Sequence, residues 1–344
     1  MTLRTTSLKR ASLATLLGST LLLCGNSCAA ENPEPFLGRW ALNLPGGGAG
    51  WLGVTKENGY YDASILWGGG SVVPVSSVFF HEDTMYVTRT SEVKRKDANG
   101  KVTKTHQWSE AIVATVDGDE LRLVRMRGHE NGLGMDREQF HGKRIPDLSK
   151  APDFASVKYG EAVTLFNGKD LKGWRLTEPN QVSGWSVVDG ILINRPEQQE
   201  GKPHKSYGNL RTDQEFMDFN LKVEFRVPKG GNSGIYLRGI YEIQVADTFG
   251  KPLDSHNMGG VYSRITPTVA AEKPAGEWQT YDITLVDRHV TVILNGKKII
   301  DNQPLLGCTG GALWSDEFRA GPLYLQGDHT GVDYKSLVIR PVVK

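Results

Sequence analysis

Residues 230–247 read Gly230-Gly231-Asn232-Ser233-Gly234-Ile235-Tyr236-Leu237-Arg238-Gly239-Ile240-Tyr241-Glu242-Ile243-Gln244-Val245-Ala246-Asp247. Two alternating runs stand back to back. Ile235 and Leu237 point to one side, Tyr236 and Arg238 to the other; Tyr241, Ile243 and Val245 likewise oppose Glu242 and Gln244. A period of two marks a half-buried strand, and burial of the apolar set fixes which face meets a core. The opposite face then gathers a phenol, a guanidinium, a carboxylate and an amide on Tyr236, Arg238, Glu242 and Gln244. Such groups hold a polar ligand such as a sugar. The plainer alternative is a solvated cross-strand pair of Arg and Glu.

The same pattern fills the C-terminal half. Residues 219–227 alternate, with Phe219, Leu221, Val223, Phe225 and Val227 on one face. Residues 185–193 form a hairpin across Asp189-Gly190, and Asn295-Gly296 turns another. Stretches 281–286, 290–294, 323–326 and 336–340 add strands, and no stretch sustains a helical period. These features predict a two-sheet antiparallel sandwich over residues 158–344. The proline-punctuated, aperiodic run around Pro146 and Pro152 predicts a linker, placed at 149–157. Residues 31–148 carry short strand candidates (61–67, 77–80, 85–90, 108–116, 121–127) between turn signals such as Glu57-Asn58-Gly59, Gly68-Gly69-Gly70 and Asp97-Ala98-Asn99-Gly100. This predicts a small antiparallel β-barrel or sandwich; its Gly38-Arg39-Trp40 opening is similar to that of lipocalin-like barrels. Trp40, Trp51 and Trp67 are expected in its core. The whole chain is thus expected to be all-β, and the role of residues 31–148 is left unassigned.

Residues 1–30 read as a secretory signal peptide. Arg4, Lys9 and Arg10 precede an uncharged apolar run at 11–23, and Ser27-Cys28-Ala29-Ala30 supplies small residues for cleavage. Export to the periplasm or the exterior is the expectation, with a lipid anchor on Cys28 as the alternative. Cys308 is then the single cysteine of the mature chain, so no internal disulfide forms and no Cys/His metal spacing exists. A formal charge of +1 carries no nucleic-acid footprint and no basic membrane-binding footprint.

An ordered set of motifs then becomes specific. It comprises Leu165-Phe166-Asn167-Gly168 with Gly173-Trp174, Trp185 with Asp189-Gly190, and Asp218-Phe219 with Glu224-Phe225-Arg226. Asn232-Ser233-Gly234-Ile235 with Arg238, Tyr241-Glu242-Ile243-Gln244 with Asp247, Lys273-Pro274 with Gly276-Glu277-Trp278, Leu294-Asn295-Gly296, and Leu325-Gln326 with His329 complete it. Over about residues 160–342 the chain resembles the 3-keto-disaccharide hydrolase domain family. The resemblance implies a jelly-roll β-sandwich like that of concanavalin A-like lectins and glucanases. It also implies a sugar oxidised at carbon 3, whose carbon 2 proton is acidified so that the glycosidic oxygen leaves by elimination, followed by hydration. Glucanases of this fold place three carboxylates where this chain reads Glu242, Gln244 and Asp247. A bulge near Val245 would return Asp247 to the face of Glu242, but the middle acid is an amide, which disfavours ordinary retaining hydrolysis.

The expected catalytic residues are Glu242 and Asp247 as acid or base, His329 as proton shuttle, and Arg238 for the enolate charge. Asn232, Tyr236, Gln244, Tyr262, Tyr324, Gln326 and Asp328 are expected to bind substrate. His256 sits on a polar loop able to close over a sugar. No cofactor is demanded; a divalent metal ion held by Glu242, Asp247 or His329 is a further option. The competing functions are a lectin-like carbohydrate-binding module on the same sandwich and a conventional glucanase.

Overall fold

The computed structural model describes residues 32–199 and 202–343. The leader reading at 1–30, with its export and lipid-anchor options, lies outside the described residues. The first half forms one antiparallel sheet of β1 (Gly38–Asn43), β2 (Ala49–Lys56), β3 (Tyr61–Trp67), β4 (Val73–Pro74), β5 (Ser77–His81), β6 (Thr84–Lys96), β7 (Val102–Asp117), β8 (Glu120–Gly128) and β9 (Met135–Ile145). Its order is β4-β3-β2-β1-β9-β8-β7-β6-β5. The sheet closes on itself because β4 and β5 are one kinked run. Val75 N–H donates to Ala63 O of β3 (3.0 Å) and Ser76 N–H to Thr88 O of β6 (2.8 Å). Full closure leaves no edge unpaired.

Trp40, Leu42, Leu52, Val54, Ile65, Met85, Val87, Ile112, Leu121, Leu123 and Phe140 fill one end of this barrel. Trp40 donates from its indole to Phe36 O (2.9 Å), and the Arg144 guanidinium lies 4.1 Å over its ring while donating to Pro35 O and Leu37 O. That end is sealed. Trp67 departs from the expectation of a core residue: it is half-buried and lines an open cavity at the barrel's other end.

The second half contains β10 (Val163–Thr164), β11 (Trp174–Leu176), β12 (Trp185–Val188), β13 (Ile191–Asn194), β14 (Leu210–Phe216), β15 (Phe219–Arg226), β16 (Asn232–Leu237), β17 (Tyr241–Ala246), β18 (Gln279–Val286), β19 (His289–Leu294), β20 (Lys297–Pro304), β21 (Gly321–Leu325) and β22 (Val332–Pro341). One sheet runs β12-β13-β22-β15-β18-β19-β20 with β10 on β22; the other runs β11-β14-β21-β16-β17. Apolar faces meet between them. Phe219, Leu221, Val223 and Phe225 of β15 share a core with Ile235 and Leu237 of β16, Tyr241, Ile243 and Val245 of β17, and Leu323 and Leu325 of β21. The architecture is an all-β barrel followed by a β-sandwich.

The two halves pack closely. Ala49, Trp51, Leu66 and Ile145 point out of the barrel and join the sandwich core. The Arg264 guanidinium stacks 4.5 Å over the Trp51 ring, and Ser315 Oγ donates to Leu42 O (3.0 Å). Residues 146–162 hold no strand; Arg288 donates to Pro146 O and Asp147 O, and Asn302 donates to Pro152 O. Cys308 is buried beside this interface, and burial pushes its thiol up to about 12. Among the described residues no helix is long and apolar enough to cross a membrane.

Candidate active site

The β16–β17 hairpin sets Tyr236 opposite Glu242 and Gly234 opposite Gln244. On its other side β16 sets Tyr236 opposite Tyr324 of β21, and Gln326 N–H donates to Gly234 O (2.9 Å). Two rows therefore cross the sheet on the face turned away from the core. One reads Glu242, Tyr236, Tyr324; the next reads Gln244, Gly234, Gln326. The Tyr236 and Tyr324 rings stack 4.1 Å apart at 12°, and Asn209 donates to the Tyr324 hydroxyl (2.8 Å).

This face is not solvated. Tyr236, Glu242, Gln244 and Tyr324 are all buried. The solvated cross-strand alternative therefore fails. The roof comes from three places: Tyr262 after β17, Gly310-Gly311 before β21, and Gly69-Gly70 of the barrel. Asp328 and His329, just past β21, supply a wall. Together they enclose a cavity of about 280 Å³. Past Asn232 and Tyr262 it opens into a wider depression of about 580 Å³ that reaches Gln244, Asp247, Thr248, His256 and Asn257.

Two glycines make this packing possible. A Cβ on Gly234 would lie 2.2 Å from Glu242 Oε1, so the carboxyl occupies the space a side chain would take. A Cβ on Gly310 would lie 2.0 Å from Gly70 O, so the barrel loop could not approach any larger residue there. Gly311 N–H donates to Gly68 O (3.1 Å), Val72 N–H donates to Ser263 Oγ (2.8 Å), and Ser71 Oγ meets His256 Nε2 at 2.9 Å. His256 stands edge-on to Tyr262, with centroids 4.8 Å apart. The barrel thus contributes directly to the cavity wall.

Glu242 is the buried acid of the cavity. Burial raises its carboxyl to about 8, against the opposing hydrogen bond from Tyr236 and the charge of His329. Its partners explain how the neutral form is held. The Tyr236 hydroxyl lies 2.8 Å from Glu242 Oε2 and 2.7 Å from Gly310 O. A phenol has one proton to donate. Both contacts are hydrogen bonds only when Glu242 is protonated and donates to the phenol, which in turn donates to Gly310 O. Burial, followed by the Glu242 charge, keeps Tyr236 protonated far above its ordinary range.

His329 is half-exposed, with Nδ1 2.8 Å from Asp328 Oδ1. That hydrogen bond is the main cause raising its pKa, with the Asp328 and Glu242 charges adding to it against burial. Gln326 Oε1 is buried without a partner, which leaves it an acceptor for a ligand hydroxyl.

Ten of the eleven residues expected from sequence line this cavity or its outer depression, but Asp247 borders the depression away from the face of Glu242, and Arg238 stands apart. Strand β16 stops at Leu237, and Arg238 takes a left-handed backbone (φ 55°) in the turn. The alternation therefore breaks one residue early, and Arg238 is carried to the far end of the hairpin. There it donates to the Tyr241 hydroxyl (3.1 Å) and lines a separate cavity with Met217, Arg288, Glu317 and Phe318. It cannot stabilise an enolate in the cavity of Glu242. The β16–β17 register runs without a bulge to Ala246, so Asp247 does not return to the face of Glu242. Its carboxylate accepts Gly230 N–H (2.8 Å) and borders only the outer depression. Glu242, Asp247 and His329 do not converge, and no group of three or more His, Cys, Asp or Glu able to hold a metal ion occurs among the described residues.

Asn209, Ser71 and the glycine pairs 69–70 and 310–311 were not foreseen. The glycine runs were visible, but a turn signal does not say which distant surface the turn meets.

A family model described as the 3-keto-alpha-glucoside-1,2-lyase-like domain matches residues 161–340. A 3-keto-disaccharide hydrolase of Bacteroides thetaiotaomicron is 28% identical over 170 residues, which cover 40% of this chain and 57% of the relative. The chain therefore spans little more than half the length of that relative. A crystal structure of a protein from Parabacteroides distasonis described as a glycosyl hydrolase superposes with a TM-score of 0.45 at 29% identity, over 57% of this chain and 92% of that one. A non-specific endo-beta-1,3(4)-glucanase of family GH16 superposes with a TM-score of 0.35 at 14% identity, over 56% and 94%.

Proposed function

The chain belongs to the 3-keto-alpha-glucoside-1,2-lyase-like domain family, and on that premise we propose that it is an exported carbohydrate-active enzyme that cleaves 3-keto-glycosides. The observation that carries the reading is one buried, protonated carboxyl, Glu242, in a polar cavity shared with the half-exposed His329–Asp328 couple. Two titratable groups with different environments are what an acid–base elimination needs.

In this reading the ketone at carbon 3 acidifies the carbon 2 proton. Neutral His329, oriented through Nδ1 by Asp328, takes that proton through its other nitrogen. The electron pair forms the C1=C2 double bond as the C1–O bond breaks. Protonated Glu242 gives its proton to the departing oxygen, so the aglycone leaves as an alcohol. In this reading the Tyr324 hydroxyl and the Gln326 amide N–H, which line the same cavity, donate to the enolate oxygen. Water added across the double bond afterwards completes a net hydrolysis.

The test is a product assay on the mature chain with a 3-keto-glucoside and its unoxidised parent. Aglycone release from the keto sugar alone, with a 2-hydroxy-enone trapped early, supports the proposal. Cleavage of the unoxidised parent makes it a conventional glycosidase. Binding of either sugar without cleavage makes it a lectin-like module.

A further inference from the structure

The barrel interior changes character along its length. Inward positions on β6 run Met85, Val87, Arg89; on β7, Ala114, Ile112, Glu110, Trp108; on β8, Leu121, Leu123, Arg125, Arg127; and on β3, Ala63, Ile65, Trp67. The first members of each series are the buried apolar core. The last members line a solvent-open cavity of about 340 Å³. A small barrel of structural purpose fills itself with side chains. Here the apolar series gives way to charged residues on β6, β7 and β8, with Arg89, Glu110 and Arg127 in register across the three strands.

The charges in the cavity do not balance. Glu110 accepts from Arg89 Nη1 (2.7 Å) and from Arg125 Nε (2.9 Å). Arg125 also pairs with Glu138 at the rim (3.0 Å). Arg127 has no carboxylate partner among the described residues. Three guanidiniums thus face one inner carboxylate and one rim carboxylate. Burial lowers the pKa of Arg89, and the charges of Arg125 and Arg127 add to that against Glu110.

The cations are also held in place. Arg89 and Arg125 each lie 5.1 Å from the Trp67 ring, and Arg127 lies 4.1 Å from that of Trp108. A guanidinium held against an indole face by cation–π attraction keeps N–H donors for other partners. Rim hydroxyls come from Ser76 and Ser91.

We propose that this cup is a second ligand site, distinct from the cavity of Glu242, that binds a small sugar carrying a carboxylate or sulfate group. The anionic group supplies the missing counter-charge to Arg127 and its neighbours, and the sugar hydroxyls meet the serine rim.

The test is calorimetric titration of the mature full-length chain with glucuronate, glucose 6-sulfate, glucose and inorganic sulfate. The acidic sugars are expected to bind with Kd below about 1 mM, glucose not to bind, and inorganic sulfate to bind more weakly than either acidic sugar. Arg127→Gln is expected to weaken the acidic sugars by about tenfold or more, and Glu242→Gln to leave their binding unchanged. Ser91→Glu, at an exposed inward position of the rim, adds a competing carboxylate and serves as a second variant whose folding is not at risk. Absence of binding by both acidic sugars at about 10 mM would overturn the proposal. So would glucose or inorganic sulfate binding as tightly as they do, or affinity unmoved by both cup variants.

Discussion

Replacing Glu242 by glutamine tests the site through stability as well as turnover. The carboxyl is raised from 4.5 to about 8 by burial. Its folded pKa lies above its unfolded one, so its stabilising share is full below about 4.5 and is lost as pH rises through 8. One pKa unit corresponds to about 1.4 kcal/mol. Linkage then makes the wild-type acid cost about 1 kcal/mol at pH near 5 and about 5 kcal/mol at pH near 9. Glutamine has no such dependence. Its amide can donate to the Tyr236 phenol as the protonated acid does, so the Tyr236 bond to Gly310 O survives. Urea unfolding of both proteins near these two pH values should therefore show the variant gaining about 4 kcal/mol on the wild type from the lower to the higher pH. Turnover of the keto-glycoside should fall by about 10²- to 10⁴-fold at neutral pH, the usual worth of a general acid. A stability gap that stays the same at both pH values would refute the buried, raised acid. Normal turnover would remove Glu242 from the chemistry.

The kcat/KM profile should be bell-shaped, rising as His329 loses its proton above its ordinary value and falling near pH 8 as Glu242 ionises. Asp328→Asn should move the rising limb to lower pH, because Asp328 is what favours the imidazolium; an unmoved limb would take His329 out of the role. Added salt should shift that limb in the same direction, since the His329–Asp328 pair is half-exposed and screened, and should leave the falling limb in place, since burial sets it. Gly234→Ala should displace the Glu242 carboxyl, costing about 1–3 kcal/mol in thermal or urea unfolding together with most activity. Asp247→Asn keeps an acceptor for Gly230 N–H and should change kcat by less than about threefold; a loss on the scale of general acid–base catalysis would restore Asp247 to the mechanism.

Local alternation made most of the sandwich legible. Strand β15 was read almost residue for residue, and so was the pairing of polar Glu242 and Gln244 against apolar Tyr241, Ile243 and Val245. The alternation continues in sequence past the point where the chain turns and so assigns Arg238 to the polar face; only the left-handed backbone at 238–239 ends the strand. Asp247 would reach the face of Glu242 only through a bulge, and the register contains none. Both errors concern one residue at a strand end, where period two carries no information about where pairing stops. The preference of tryptophan for burial predicts a core position for Trp67, yet its place at the open end of a barrel depends on how the sheet closes through Val75 and Ser76. The roof over the active cavity was illegible for a related reason. It needs Gly70 and Gly310, 240 residues apart in the chain, to meet within a Cβ's reach, and no local pattern encodes that meeting.

The amide at Gln244 bears on how the site keeps an acid at neutral pH. Where two carboxylates share a site, each raises the other's pKa, and the effect disappears when either is protonated or screened. Here the residue that follows Glu242 on the same face of β17 is an amide, and Asp328 is half-exposed and paired with His329. Burial is the leading cause of the shift, and burial depends on the roof. The roof in turn includes Gly69-Gly70 of the barrel, fixed by the bonds from Gly311, Val72 and Ser71. The acid's protonation is therefore a property of the assembled chain, not of the sandwich alone. The barrel thereby helps to set the ionisation of Glu242. It also explains why Gly310 can be no larger: a side chain there would lift the loop, admit water over Glu242, and return the carboxyl toward its ordinary range.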